Sequence, residues 1–247
     1  MGRTIAIGDV HGCTDLLNCL LETLAVSDDD QVVFLGDYVD RGPDAPGVVE
    51  RLIRFAGEHS GTVFLRGNHD AMLLNFLGLE PEGYGDSYLL AENGGTPTLE
   101  QYGCAAQDIR VCRDMPGSAE AAEAKQRFLR LIPQEHLAFL KRTQLFHKTE
   151  DNLFVHAGYN TRKRWNEQTQ DDLLWIREEF VNFPHRLPQT VIYGHTATSE
   201  LGFKPRIDWK KRKVGIDTGA AYGGSLTALI MPDRGFVSAT ATQPPRR

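Results

Sequence analysis

Three times in the first 80 residues, a short β-rich run ends in a polar loop holding Gly with Asp or Asn and leads into a helix. Thr4–Ile7 ends in Gly8-Asp9 and leads to Thr14–Val26, where Leu16, Leu17, Leu20, Leu21 and Leu24 recur with the spacing of one helix face. Gln31–Leu35 ends in Gly36-Asp37, and Val48, Val49, Leu52, Ile53 and Ala56 repeat that spacing. Thr62–Leu65 ends in Arg66-Gly67-Asn68-His69-Asp70. This alternation predicts βαβ units and an α/β fold. Later strands are expected at Leu153–Val155, Thr190–Tyr193, Val214–Ile216 and Leu226–Met231, with one helix over Asp171–Phe180. Residues 78–120 are rich in Gly, Pro and polar residues, with helices expected near Ala91–Tyr102 and Ala119–Leu131, and another from Pro133 to near Lys141. The stretch 78–150 therefore reads as a helical insertion, expected to form a lid. One domain over residues 1–240 and a frayed tail over 241–247 complete the expected organisation.

Composition removes several classes of function. The longest apolar runs, Val32–Leu35 and Ala228–Met231, fall far short of the roughly 20 residues that span a bilayer. A net charge of −6 argues against coating nucleic acid through a broad basic surface. The first residues show no apolar stretch of signal-peptide length, so a cytoplasmic protein is expected. Cys13, Cys19, Cys104 and Cys112 form no CxxC pair and read as reduced thiols.

The chemistry concentrates at strand ends. Asp9 and His11 follow the first strand, Asp37 and Asp40 the second, and Asn68, His69 and Asp70 the third; His156 and His195 follow two later ones. Open α/β sheets bind ligands at the carboxyl ends of their strands, so five strand ends are expected to converge on one crevice. Two aspartates, one amide and three imidazoles make a mixed N/O donor set that suits Mn, Fe or Zn better than Mg or Ca. Six protein donors exceed what one open catalytic ion needs, whereas two ions about 3.5–4 Å apart account for them.

The motifs also resemble a known family. Gly8-Asp9-Val10-His11-Gly12, Gly36-Asp37-Tyr38-Val39-Asp40-Arg41-Gly42 and Gly67-Asn68-His69-Asp70 are similar to the GDxHG, GDxxDRG and GNH(D/E) signatures of the calcineurin-like metallophosphoesterases, and the DRG form resembles their phosphoprotein phosphatase branch. His156-Ala157-Gly158 and Gly194-His195 resemble the two remaining ligand segments. The resemblance implies a four-layer αββα sandwich of two mixed sheets. It implies that Asp9 and His11 hold one ion, that Asp37 bridges, and that Asn68, His156 and His195 hold the second. It further implies attack by a metal-bridging hydroxide, Arg41 and Arg177 on the phosphoryl oxygens, and His69 as proton donor to the leaving oxygen, held by Asp40. Tyr222 is a candidate for reaching the pocket from its Gly-rich loop. Ile216–Gly224 resembles the equivalent loop of bacterial relatives, which include protein phosphatases and symmetrical dinucleoside tetraphosphatases.

The expected function is thus dinuclear, metal-dependent phosphoester hydrolysis, with Mn as the expected ion and Fe or Zn as the other options. A bacterial-type serine/threonine protein phosphatase is the first expectation. The alternative is a symmetrical bis(5'-nucleosyl)-tetraphosphatase, and the remote one is a non-catalytic metal-holding module. A phosphorylated protein or a small phosphoester or nucleotide is the expected partner. His59, His136, His147 and His185 read as ordinary, Trp175 as core, and Lys210–Lys213 as a solvated hairpin tip.

Overall fold

Side chains along each central strand point alternately to two different cores, and this layers the molecule. The computed structural model describes residues 2–80 and 83–240; the frayed tail expected over 241–247 lies outside the described residues. The first half runs β1 (Thr4–Ile7), α1 (Thr14–Leu24), β2 (Gln31–Phe34), α2 (Ala45–Glu58), β3 (Val63–Phe64) and α3 (Asn68–Phe76). Four helices follow: α4 (Gly95–Gln101), α5 (Ala106–Asp114), α6 (Ala119–Leu131) and α7 (Gln134–Arg142). Then come β4 (Phe146–Lys148), β5 (Asn152–Val155), α8 (Gln170–Leu174), α9 (Glu178–Val181) and β6 (Thr190–Tyr193). The chain closes with β7 (Arg206–Asp208), β8 (Lys213–Gly215), β9 (Ser225–Met231) and β10 (Gly235–Thr240).

Two mixed five-stranded sheets result, ordered β10-β9-β1-β2-β3 and β4-β5-β6-β8-β7. β1, β2 and β3 are parallel, as are β5, β6 and β8, while β4, β7 and the β9–β10 pair run antiparallel to their neighbours. Ala6 and Val33 of the first sheet, with Leu65 just past β3, meet Phe154, Ile192 and Val214 of the second in an apolar layer between the sheets. Their neighbours Ile5, Ile7, Val32 and Phe34 face outward onto α1, α2, α3 and the helices of the middle segment. Leu153, Val155, Val191 and Tyr193 face the other way, onto Leu173 and Phe180 of α8 and α9. Period-two alternation with both faces apolar is what a strand buried on two sides requires. The order of layers is therefore helix, sheet, sheet, helix.

The middle segment joins the first core through Leu99, Tyr102, Ile109, Phe128, Leu137 and Leu140. Its first expected helix is divided: a short 3-10 turn spans Ala91–Asn93, and α4 begins after Gly94, which takes a left-handed φ of 78°. Helix α5 was not expected, because it buries only Ile109 and Cys112 and so carries a weak apolar stripe. The single helix expected over Asp171–Phe180 is two short ones, interrupted at Trp175–Arg177, where Arg177 adopts φ −128° and ψ −103°. The basic run does form the turn between β7 and β8, but Lys213 points inward and donates to the carbonyls of Phe180 and Phe183.

Candidate metal centre

The carboxyl ends of β1, β2 and β3 meet those of β5, β6 and β8 along one edge of the paired sheets, and the donors stand on the loops that leave them. Backbone geometry there is unusual. His11, Asp37, Asp40, Arg41 and His195 all have positive φ, between 45° and 70°. Non-glycine residues hold that conformation only where surrounding structure enforces it, and such positions gather at functional sites. Two glycines make the convergence possible. A Cβ on Gly67 would lie 2.0 Å from Asp37 Oδ1, and one on Gly194 would lie 1.9 Å from Asp9 Oδ1.

Asp37 lies at the middle of the cluster. His11 Nε2 is 3.3 Å and His156 Nε2 3.5 Å from Asp37 Oδ2. Two groups of possible ligand atoms share it, His11–Asp37–His69 and Asp37–His156–His195, each with its atoms within 4.8 Å of one another. Asn68 Oδ1 lies 2.9 Å from His156 Nε2 and 2.8 Å from His195 Nδ1. Asp9 Oδ2 accepts from the His195 backbone N–H at 2.9 Å, which ties the first strand loop to the fifth. All six expected donors are therefore buried in one place. The first compact group includes His69 where the sequence reading had Asp9, whose Oδ1 faces inward beside it without a hydrogen-bond partner.

The ring orientations are set from outside. His11 Nδ1 donates to the carbonyl of Val39 and His156 Nδ1 to that of Leu35, both at 2.9 Å, so each presents Nε2 inward. Burial pulls the imidazolium of His11 down to about 3 and lowers those of His156 and His195 as well. These imidazoles are neutral, the form that binds a metal. Burial opposes charge on Asp37, but the positive charge that His156, His69, His11 and Arg41 present in acid holds its carboxyl well below the usual carboxylate range.

The donor set fits divalent cations by its own chemistry. Asp9 Oδ1 and His195 Nε2 are buried without a hydrogen-bond partner, a costly arrangement unless a ligand completes it. Burial and the charges of Asp217 and Asp37 push the Asp9 carboxyl well up. Crowding of this kind is what a cation relieves. Arg41 now donates to His11 Nε2 at 2.7 Å, so holding an ion through that nitrogen requires the guanidinium to withdraw.

The remaining candidates are placed around this centre. His69 Nδ1 meets Asp40 Oδ2 at 2.8 Å. Arg177 donates to the carbonyl of His195 at 3.1 Å. Tyr222 is 51% exposed, with the Arg41 guanidinium 5.5 Å above its ring centroid. Trp175 is not plain core: it packs only partly on the first core and brings its ring within 6.2 Å of that of His195. Asp217 is not among the expected site residues, and Asp70, named at the third strand end, has no expected role there. Asp217 is buried beside Asp9, and its position just past the Val214–Ile216 strand, like those of Asp9 and Asp37, was the available signal. Asp70 accepts from the backbone N–H groups of Asp37, Tyr38 and Gly67 at 2.9, 3.0 and 2.8 Å, joining the second and third loops.

Comparison with known proteins agrees with this architecture. The calcineurin-like phosphoesterase family profile matches residues 2–213, and the chain belongs to that family. It is a phosphoric ester hydrolase by that membership and by its relatives. A bis(5'-nucleosyl)-tetraphosphatase PrpE (asymmetrical) of Oceanobacillus iheyensis is 26% identical, covering 96% of this chain and 92% of that protein. A symmetrical bis(5'-nucleosyl)-tetraphosphatase of a Janthinobacterium species is 28% identical, covering 97% of each. A solved structure provisionally described as a diadenosine tetraphosphatase superimposes with a TM-score of 0.65 at 24% identity, over 98% of this chain and 95% of that one. Among the described residues no helix is long and apolar enough to cross a membrane.

Proposed function

We propose that this protein hydrolyses dinucleoside polyphosphates, using two divalent cations held at the buried cluster. The observation that carries the reading is the end-to-end match to tetraphosphatases, 96–97% of this chain against 92–97% of theirs. It supports the nucleotide alternative better than the phosphoprotein substrate that the DRG block first suggested.

In this reading Asp9 and His11 would hold one ion and Asn68, His156 and His195 the other, with Asp37 available to both. Cations bound there would supply Lewis-acid activation of water and of the phosphoryl oxygens. The chain's own residues do the rest. Arg41 and Arg177 offer planar forks matched to phosphoryl oxygens. When the P–O bond to the leaving group breaks, its oxygen takes a proton from His69 Nε2. Asp40, on Nδ1, holds the ring so that Nε2 faces the reaction. Tyr222, whose ring lies under the Arg41 guanidinium, is placed to contact a substrate held by Arg41.

The test is product analysis with Mn(II) present. Diadenosine tetraphosphate, phosphoserine and phosphothreonine peptides, and nitrophenyl phosphate are offered in parallel. Efficient cleavage of the tetraphosphate is expected, two ADP marking symmetrical attack and ATP plus AMP asymmetrical attack. Phosphate release from phosphopeptides with no cleavage of the tetraphosphate returns the assignment to protein phosphatase.

A further inference from the structure

A cleft of about 400 Å³ opens beside the metal centre, between α3, the loop at Tyr84 and the start of α8. Its floor is Ala71 and Met72, which follow His69 on α3. Its wall is aromatic. The rings of Tyr84 and Trp175 lie 4.4 Å apart at 50°, and Trp175 also meets the His195 ring edge-on, 6.2 Å between centroids. Tyr84 is 43% exposed, and its hydroxyl donates to Asp171 across the mouth at 3.4 Å. The loop carrying it is seated on α3: a Cβ on Gly83 would fall 1.9 Å from Asn75 Oδ1. Gln170 adds an exposed amide at the rim.

We infer that this cleft is the nucleobase subsite of the enzyme, an assignment that rests on the dinucleotide reading above. Two aromatic rings partly open to water beside a strongly polar site lose little when a flat π-system covers them. A base stacked on such rings gains a contact that tolerates any base identity. The ring contacts from His195 to Trp175 to Tyr84 lead from the donor cluster to the cleft. A nucleotide whose phosphate lies over the donors places its base there. A small aryl ester carries its ring one oxygen from the phosphorus, whereas a nucleotide spaces its base from the phosphate by a ribose and so reaches further into the cleft. The cleft thus converts a general phosphoesterase centre into one that prefers nucleotides.

The experiment compares Tyr84→Ala and Tyr84→Phe with the wild type, all loaded with Mn(II), on diadenosine tetraphosphate and nitrophenyl phosphate. Tyr84→Ala is expected to lower the ratio of kcat/KM between the two substrates by about tenfold or more, through KM for the tetraphosphate, the order of one lost stacked base. Tyr84→Phe keeps the ring and should retain most of the selectivity. As a reading independent of turnover, AMP titrated into metal-free protein should quench tryptophan fluorescence, and Trp175→Phe should remove that quench. An unchanged ratio in Tyr84→Ala, equal losses on both substrates, or a quench that survives in Trp175→Phe overturns the cleft assignment alone. A wild type that cleaves phosphopeptides and not the tetraphosphate overturns the underlying reading and this inference with it.

Discussion

Asp40 holds His69 by a 2.8 Å contact from Oδ2 to Nδ1, while its Oδ1 accepts from the hydroxyls of Tyr88 at 2.9 Å and Thr98 at 2.7 Å. The Asp40 backbone N–H donates in turn to Thr98 Oγ1 at 3.1 Å. The middle segment therefore supplies two of the hydroxyls that fix the carboxylate behind the proposed acid. Substituting His69→Ala should slow cleavage of a substrate with a poor leaving group about 100-fold or more, the usual range for a general acid. Nitrophenyl phosphate, whose leaving group needs no proton, should lose far less. Thr98→Val should show the same pattern in weaker form. Steady-state kinetics on both substrates check this, and equal losses would remove His69 from the acid role.

Metal binding should follow the shared position of Asp37. Both compact donor groups contain it, so Asp37→Asn should lose both ions, whereas His156→Ala should lose chiefly one. Metal content per chain after dialysis, by elemental analysis, separates the two results.

Chelation should also lower stability, because the ions bind only the folded chain. At free metal about 100 times Kd, one site adds about 2.7 kcal/mol. In a domain of this size that is about 5–10 °C in Tm. Thermal melts with EDTA and with restored Mn(II) measure it. An unchanged Tm would mean that the cluster does not hold an ion with useful affinity.

Gly67→Ala is expected to damage the centre from the backbone side. Its Cβ would fall 2.0 Å from Asp37 Oδ1 and 2.2 Å from the Asp37 backbone nitrogen. Neither can move without losing the His69 N–H bond to Oδ1 or the Asp70 bond to the Asp37 N–H. Metal content and activity should fall together. A variant that keeps both would show the loops to be more compliant than their contacts imply.

Acid sensitivity has a legible source at α8, whose first turn leads to Trp175. Burial raises the Asp172 carboxyl, but the Lys163 ammonium, the Thr169 N–H and the Asn160 amide outweigh it and hold the group down to about 2. A carboxyl with a depressed folded pKa contributes stability above its unfolded value, and that contribution is lost as pH falls toward about 2. Asp172→Asn should therefore lower Tm by about 2–4 °C at pH 7, for a capping-and-pairing loss near 1 kcal/mol. The gap from wild type should close as pH falls below about 3. Melting curves of both proteins across that range decide it.

The glycine–aspartate loops, the α/β alternation and the two late histidine segments are local signals, and they were legible because each needs only a few neighbours in the chain. They determined the fold class, the family and the donor types. The tertiary structure decided what those residues meet. His195 reaches Asp9 across 186 positions and Asn68 reaches His156 across 88, and no local period records such pairs. Asp70 enters the site by accepting from the backbone of Asp37 and Tyr38, 33 and 32 positions away, and Asp217 by lying close enough to Asp9 for their charges to interact. The break at Trp175–Arg177 was hidden inside an apparently continuous helical pattern, because it depends on how that segment seats against the second sheet and His195. The aromatic cleft also has no sequence signature: Tyr84 and Trp175 are 91 residues apart and meet only in the folded chain. Chemistry of the site was written locally, whereas the shape that selects a substrate arises from packing between distant segments.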